Sequence, residues 1–357
     1  MGFGVAAQQR LANARVLVVG AGGLAASLLA YLAAAGVGNI HIIDFDRVEA
    51  SNLNRQILYT PADIGNDKAA TSAARISAQN PDIKVHFRQE KLTNTNALQY
   101  ISSVDLVVDA CDNLPTRYII NDACLLANKP WVYAAISDYS AQISVFNAAP
   151  QSSNYRDLYP IMPSNAPDCN QTGVIGALTG IVGSMQAIEA LKYLAQIGKI
   201  AQNTLLIYDA LTCNLHHFEI KPNPSAYAHI IPKNEAEFRA FDYHQVAQNL
   251  PAAANINISV SDLHAAAANG KKILLIDLRE RDELADADEN INFPPTFDYL
   301  HLPFSRLHAA QNLPQADIIA AFCPQGRRSQ VFARQMRQNF PQQIICSLQI
   351  QPKTKKH

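Results

Sequence analysis

Residues Val16–Ala25, VLVVGAGGLA, run from a hydrophobic strand pattern straight into a glycine-rich turn, and this junction restricts the fold more than any other stretch. Gly20, Gly22 and Gly23 stand between that strand and a helix beginning near Leu24, the context that gives such a motif meaning. Bare of side chains, the turn lets the backbone approach phosphate oxygens, and the helix start offers free N–H groups and a positive dipole end. Short apolar runs then alternate with helix-period segments to about Ile220. RVLVVG, NIHIIDF, KVHFRQ, DLVVDA, WVYAAI, QISVFN and TLLIYDA read as strands. Leu24–Ala35, Asp67–Gln79 and Gly183–Gln196 read as helices, with a helix start also just after Gly173. This alternation predicts an α/β, doubly wound parallel sheet with a nucleotide at the carboxyl ends of its strands.

At 357 residues the chain has room for two domains with separate cores. After EIKPNPSAY the alternation lapses, so 1–225 is expected to form one domain and 226–255 a linker with one helix near Glu235–Gln248. A second α/β pattern fills 256–357. Lys plus Arg number 29 against 30 for Asp plus Glu, a balance that gives nucleic acid no claim as partner. MGFGVAAQQR carries no signal-peptide pattern, and the longest apolar stretch, Leu24 to Gly38, is too short to span a bilayer. A cytoplasmic protein without a membrane segment is the expectation. The six cysteines include no C-x-x-C pair, which leaves neither a thiolate zinc knuckle nor a thioredoxin-like site.

A glycine turn of this kind suits NAD and ATP alike, and Asp44, ending the second strand, can hold ribose hydroxyls in either case. The next stretch, DFDRVEASNLNRQILYTPADIGNDKAA, separates them. Hydride transfer needs no cluster of cations, whereas Asn52, Arg55 and Lys68 can neutralise β- and γ-phosphates leaving as pyrophosphate. DACDNLPTRYIIND then places Asp112 and Asn113 at the end of another strand beside the same crevice, where Asp112 suits Mg²⁺. Arg55, Lys68 and Asp112 together disfavour an NAD-dependent oxidoreductase.

The order GxGG, DxD, SNLxRQ, GxxK and DxxDNxxTR resembles the MoeB/ThiF/HesA adenylyltransferases, relatives of ubiquitin-activating enzymes, from about Gly2 to Pro224. The resemblance implies a Rossmann-like sheet of the ubiquitin-activating type and a homodimer. It also implies ATP- and Mg²⁺-dependent adenylation of the C-terminal glycine of a ubiquitin-like sulfur carrier ending in Gly-Gly. By the same resemblance Gly23 faces the phosphates and Asp44 the ribose, with Gly20 and Gly22 also among the nucleotide-binding residues. Asn52, Arg55 and Lys68 contact phosphates, Asp112 serves the metal and the reacting centre, and Asn113 is among the nucleotide-binding residues. Two departures bear on activity. Zinc-bearing members carry two C-x-x-C pairs, but here Asn154 and Asp157 stand in NYRDLYP and NPSAYAH has no cysteine, so no zinc is expected. Relatives begin with an RYxRQ-type arm, and MGFGVAAQQRL starts after it; either the start is misassigned or adenylation is weakened.

Cys169, in the polar loop MPSNAPDCNQTG, occupies the family's conjugating or persulfide-relaying position and reads as a reachable thiolate. Cys111 and Cys124 read as packing. Near the other end, IIAAFCPQGRRSQVFARQM ends an apolar strand at Cys323 and opens a helix near Ser329. Loop N–H groups, with Arg327 and Arg328, favour the anionic sulfur. The loop Cys323, Gly326, Arg327, Arg328, Ser329 resembles the rhodanese CRxGxRS cradle and LLIDLRERDEL its DVRExxE strand, over about Ile256 to Leu348. Pro324 replaces an arginine common there, and INFPPTFDYLHLPF is a lengthened version of GHIPGA. The resemblances together imply an adenylyltransferase with a smaller rhodanese-like α/β domain that takes persulfide from a cysteine desulfurase or another donor, with molybdopterin synthase's carrier favoured. Thiamine or tRNA thiolation, and a catalytically weak scaffold for a ubiquitin-like protein, are the alternatives.

Overall fold

The computed structural model describes residues 4–137, 139–160, 162, 174–243, 257–279, 284, 296–303, 313–323, 326–339 and 343–349. The chain divides into two compact units, Met1–Gln248 and Asn249–His357.

In the first unit the glycine junction forms as its sequence dictates. The apolar run makes β1 (Arg15–Val19), the turn follows, and α2 (Gly23–Ala34) begins at the third glycine, after α1 (Val5–Asn13). The remaining strands are β2 (Asn39–Ile43), β3 (Lys84–Arg88), β4 (Leu106–Asp109), β5 (Trp131–Ser137), β6 (Ser140–Phe146), β7 (Thr204–Asp209) and β8 (Asn214–Glu219). They form one sheet in the order β3-β2-β1-β4-β5-β6-β7-β8. From β3 to β5 the pairing is parallel, as expected of a doubly wound fold, while β6, β7 and β8 add antiparallel. The turn from β5 to β6 is too short for a crossover, so the chain can only double back.

The helices joining these strands include α3 (Lys68–Gln79), α4 (Ala97–Ser102), α5 (Leu114–Ala127), α6 (Tyr155–Leu158), α7 (Gly176–Ala195) and α8 (Glu235–Ala240). Strands β1, β2 and β3 progress one way across the sheet and β4, β5 the other. Right-handed crossovers therefore put α2 and α3 on the face opposite α5. The reversal lies between β1 and β4, whose carboxyl ends frame an open crevice. Helix α7 packs along α2 and starts two turns before the periodic segment Gly183–Gln196. Its glycines obscure the pattern for a packing reason: a Cβ on Gly176 or Gly183 would lie 2.2 Å from the carbonyl oxygen of Asn54 or Leu24.

Residues expected to be linker are largely built into this unit. Tyr227, Phe238 and Tyr243 are buried. Asn94 Nδ2 donates to the carbonyls of Arg239 (2.8 Å) and Phe241 (3.0 Å), and the Tyr243 hydroxyl donates to Asp122 (3.0 Å). Asp122 in turn holds Arg156 through two 2.7 Å bonds, both partners being about 1% exposed. The helix expected at Glu235–Gln248 stops at Ala240, with residues 244–248 outside the described region.

In the second unit β9 (Asn257–Ser259), β10 (Ile273–Asp277), β11 (Asp298–His301), β12 (Ile318–Phe322) and β13 (Ile344–Gln349) form a parallel sheet in the order β11-β10-β12-β13-β9. Helix α9 (Val260–Ala268) is held at its start by a Ser259–Asp262 capping box, and α10 (Arg327–Asn339) packs on β12 and β13. Leu263, Ile273, Leu275, Phe297, Ala320, Phe322 and Leu348 make its core.

Candidate functional site

The crevice at the β1/β4 reversal is a cavity of about 290 Å³, and three separate sequence segments meet in it. The first is the glycine turn. Gly20 has φ +98°, and a Cβ there would lie 2.6 Å from the Ala110 carbonyl oxygen, so only glycine lets the ends of β1 and β4 approach this closely. Gly22 caps α2 without a side-chain hydrogen bond, and no acidic residue stands in the first turn. The leading N–H groups of α2 are thus left for an anion. Asp44 braces this turn from β2, with Oδ2 accepting from Ala21 N (2.6 Å) and Oδ1 from Asp46 N (2.7 Å). Burial lifts the Asp44 carboxyl above its ordinary range, opposed by those two N–H groups.

The second segment is the loop from Asn52 to Lys68. Arg55 and Lys68 line the cavity. Lys68 is 6% exposed and its ammonium sits 3.1 Å from Asp46, the second acid of DFD. The buried Tyr59 hydroxyl donates to Ala21 O (2.6 Å) and lies 2.9 Å from Ser72 Oγ, locking this loop and α3 to the glycine turn. Thr179 of α7 lies 3.2 Å from the Arg55 carbonyl and fixes the loop from the other side. Asn52 departs from its expected place. It is buried, does not line the cavity, and accepts the Glu49 N–H through Oδ1 (3.2 Å), so it shapes the loop.

The third segment follows β4. Asp112 is exposed at the rim, and Asn113 both lines the cavity and caps α5 by accepting Thr116 N (3.0 Å). Beneath them lies a buried pair that the sequence reading did not single out. Arg117 Nε donates to Asp109 (3.2 Å) and Arg117 Nη2 to Cys111 O (3.0 Å), which pins the backbone carrying Asp112. Burial raises the Asp109 carboxyl despite the guanidinium. Cys111 also lines the cavity, its thiol pushed well up by burial and by Asp109. The first aspartate and the arginine of DxxDNxxTR are this pair, so the motif itself carried the sequence signal.

The donor set fits a magnesium nucleotide. The lining combines uncapped helix N–H groups with the cations Arg55, Lys68, Lys91 and Arg117 and the carboxylates Asp44, Asp46, Glu90 and Asp112. Among the described residues no three His, Cys, Asp or Glu side chains cluster, and Mg²⁺ is commonly held by one or two carboxylates plus phosphate oxygens. At the positions of the family's zinc thiolates the donors satisfy one another instead. Asn154 Nδ2 donates to Asp157 (3.0 Å) and to the Tyr227 hydroxyl (2.6 Å), and Asn223 N donates to Asp157 (2.6 Å). Burial raises Asp157, and lifts Tyr227 to about 12.

Cys169 lies outside the described residues. Cys323 follows β12 and is 3% exposed, its sulfur receiving the Ser329 N–H at 3.4 Å. Gly326 turns the loop with φ +73°, and Ser329 lies in the first turn of α10 with Arg328 half-buried beside it. The Arg327 side chain is not described. Alongside, buried Asp277 accepts from Arg279 (2.7 Å) and from the Tyr299 hydroxyl (2.7 Å), and Leu278 N donates to Phe322 O (3.0 Å).

Known proteins share both fold and sequence with this chain. It is 38% identical over 346 residues to the probable adenylyltransferase/sulfurtransferase MoeZ of Mycobacterium tuberculosis, covering 92% of this chain and 83% of that protein. It is 45% identical over 223 residues to the sulfur carrier protein adenylyltransferase of Thermus thermophilus, covering 61% of this chain and 82% of that protein. Adenylyltransferase and sulfurtransferase MOCS3 of Drosophila grimshawi is 31% identical, with 97% and 79% covered. The crystal structure of E. coli MccB with ATP superposes with a TM-score of 0.55 at 21% identity over 62% of this chain and 68% of that one, a likeness of fold. Residues 1–228 match the ThiF family, and the chain belongs to it.

Proposed function

We propose that this protein adenylates the C-terminal glycine of a ubiquitin-like sulfur carrier, using ATP and Mg²⁺, and passes it persulfide sulfur to give a thiocarboxylate. The observation that carries the reading is the meeting of an uncapped helix start, Arg55, Lys68 and Asp112 in one cavity. The carrier carboxylate attacks the α-phosphorus while the α2 N–H groups, Arg55 and Lys68 neutralise the departing pyrophosphate. Asp112 would hold Mg²⁺, which supplies charge neutralisation at the phosphates. Asp44 holds the ribose side, and Asp109–Arg117 keeps Asp112 in place. The names of the relatives, which join adenylyltransferase to sulfurtransferase, support pairing this site with Cys323.

In this reading Cys323 takes its outer sulfur first, from thiosulfate with sulfite leaving or from a cysteine desulfurase. That sulfur displaces AMP from the carrier adenylate, or displaces Cys169 from an acyl intermediate. Attack of a thiol such as Cys169 on the resulting acyl disulfide releases the thiocarboxylate and leaves a protein disulfide. Molybdopterin synthase's carrier is the favoured partner. The enzyme works as a cytoplasmic homodimer, a reading supported by Ile181 and Ile188, one face of α7 left 41% and 55% exposed. No helix among the described residues is long and apolar enough to cross a membrane. The test is exchange of labelled pyrophosphate into ATP with Mg²⁺ and carrier. Asp112→Ala should slow it by about a hundredfold or more, and exchange at the wild-type rate would remove Asp112 from the reaction.

A further inference from the structure

We propose that Ser347 is a positioning residue for the Cys323 thiolate, acting through Ser329 as the rear donor of a two-hydroxyl relay that ends on the sulfur. The three side chains come from different elements, the end of β12, the first turn of α10 and β13, and all are buried. Cys323 Sγ lies 3.7 Å from Ser329 Oγ, and Ser329 Oγ lies 2.8 Å from Ser347 Oγ and 2.9 Å from the Gly326 carbonyl oxygen.

With the thiol protonated, the shorter contacts give every hydrogen a place to go, Ser347 Oγ lying 2.8 Å from Ser329 Oγ against 3.4 Å from Gly326 O. Cys323 S–H points to Ser329 Oγ, the Ser329 hydroxyl donates to Gly326 O, and Ser347 donates to Ser329 Oγ. When a base in solution takes the thiol proton, the sulfur becomes an acceptor and already faces the Ser329 N–H. The Ser329 hydroxyl hydrogen then turns from Gly326 O to the sulfur, with no electron changing hands. Gly326 O keeps the Gln330 N–H at 3.1 Å, so the turn leaves no carbonyl bare. Ser329 Oγ, however, has lost the S–H and now accepts from Ser347 alone.

The asymmetry assigns Ser347 its role. Without its hydroxyl, the buried Ser329 oxygen would still have a donor beside the thiol but none beside the thiolate. An orphaned buried acceptor is costly, and a donor hydrogen-bonded from behind is a stronger donor. The loss therefore falls on the reactive form. This inference rests on the reading of Cys323 as the sulfur acceptor.

The experiment uses the full-length protein. Iodoacetamide alkylation of Cys323 is followed by peptide mass spectrometry over a range of pH, with persulfide formation from thiosulfate measured in the same preparations. Ser347→Ala should be alkylated about fivefold more slowly at neutral pH, with the deficit closing as pH rises, and Ser347→Thr should recover the rate. Alkylation at the wild-type rate, or a deficit equal at every pH, would overturn the relay. Should Ser347→Ala not fold, Ser329→Ala and its double variant with Ser347→Cys serve instead. Ser347 acts only through Ser329, so the two should react alike, and a further loss in the double variant would overturn the relay. Failure of the wild type to take up sulfur at Cys323 would refute the acceptor role and leave the alkylation comparison intact.

Discussion

Alanine substitutions two positions apart, at Gly20 and Gly22, should have different consequences, because the glycine turn does two physical tasks. At Gly20 the backbone has φ +98° and an added Cβ would meet Ala110 O at 2.6 Å and Ala110 C at 2.7 Å, all backbone. Left-handed strain costs an alanine about 1–2 kcal/mol, and forcing atoms into a packed junction about 1–3 kcal/mol more. Lower chain entropy in the unfolded state returns about 0.4–1 kcal/mol. Gly20→Ala should thus lose about 3 kcal/mol, roughly 6–12 °C in melting temperature for a unit of this size. At Gly22 the nearest atom to an added Cβ is Gln56 Nε2 at 3.7 Å. Gly22→Ala should leave stability within about 0.5 kcal/mol of wild type, yet weaken ATP binding by about tenfold or more by blocking close approach of the phosphates. Fluorescence of Trp131, the single tryptophan and fully buried in the first unit, follows unfolding, and calorimetric titration follows ATP. A Gly20→Ala protein as stable as wild type would refute the contact argument. A Gly22→Ala protein binding ATP normally would show that the nucleotide does not lie on this turn.

Other perturbations separate the remaining parts. Cys323→Ala should abolish persulfide formation and leave pyrophosphate exchange intact, whereas Cys169→Ala should spare both and impair thiocarboxylate formation, as mass spectrometry of enzyme and carrier would register. Arg156→Met strands the buried Asp122 carboxylate and should cost about 3–5 kcal/mol by urea unfolding; a loss below about 1 kcal/mol would mean that Asp122 finds another donor. Burial raises Asp157 above 3.8 in the folded state, so the native protein binds its proton more tightly than the unfolded chain. The contribution of Asp157 to stability should fall as pH rises upward from 3.8, so Asp157→Asn, lacking that proton, should gain relative to wild type over the same window. Parallel stability curves would refute it. Chelation with EDTA should leave the Trp131 transition unmoved, since hydrogen bonds tie Asn154, Asp157 and Tyr227.

What the sequence determined by itself is whatever repeats or closes over a few residues. The alternation of strands and helices, the glycine junction at Gly20–Gly23 and the strand–loop–helix around Cys323 are all of this kind, because side-chain period and φ preference act within one element. The tertiary structure decided how distant segments satisfy one another. Asn52 sits in the right motif yet turns its amide to Glu49, and the charge that fixes Asp112 belongs to Asp109 and Arg117, whose pairing needs β4 and α5 already packed. The stretch 226–243 reads as a linker because its apolar residues follow no period. It is nonetheless held in place by Asn94, Asn154 and Asp122, hydrogen-bond partners that lie 70 to 150 residues away in the chain and that only the completed fold brings within reach.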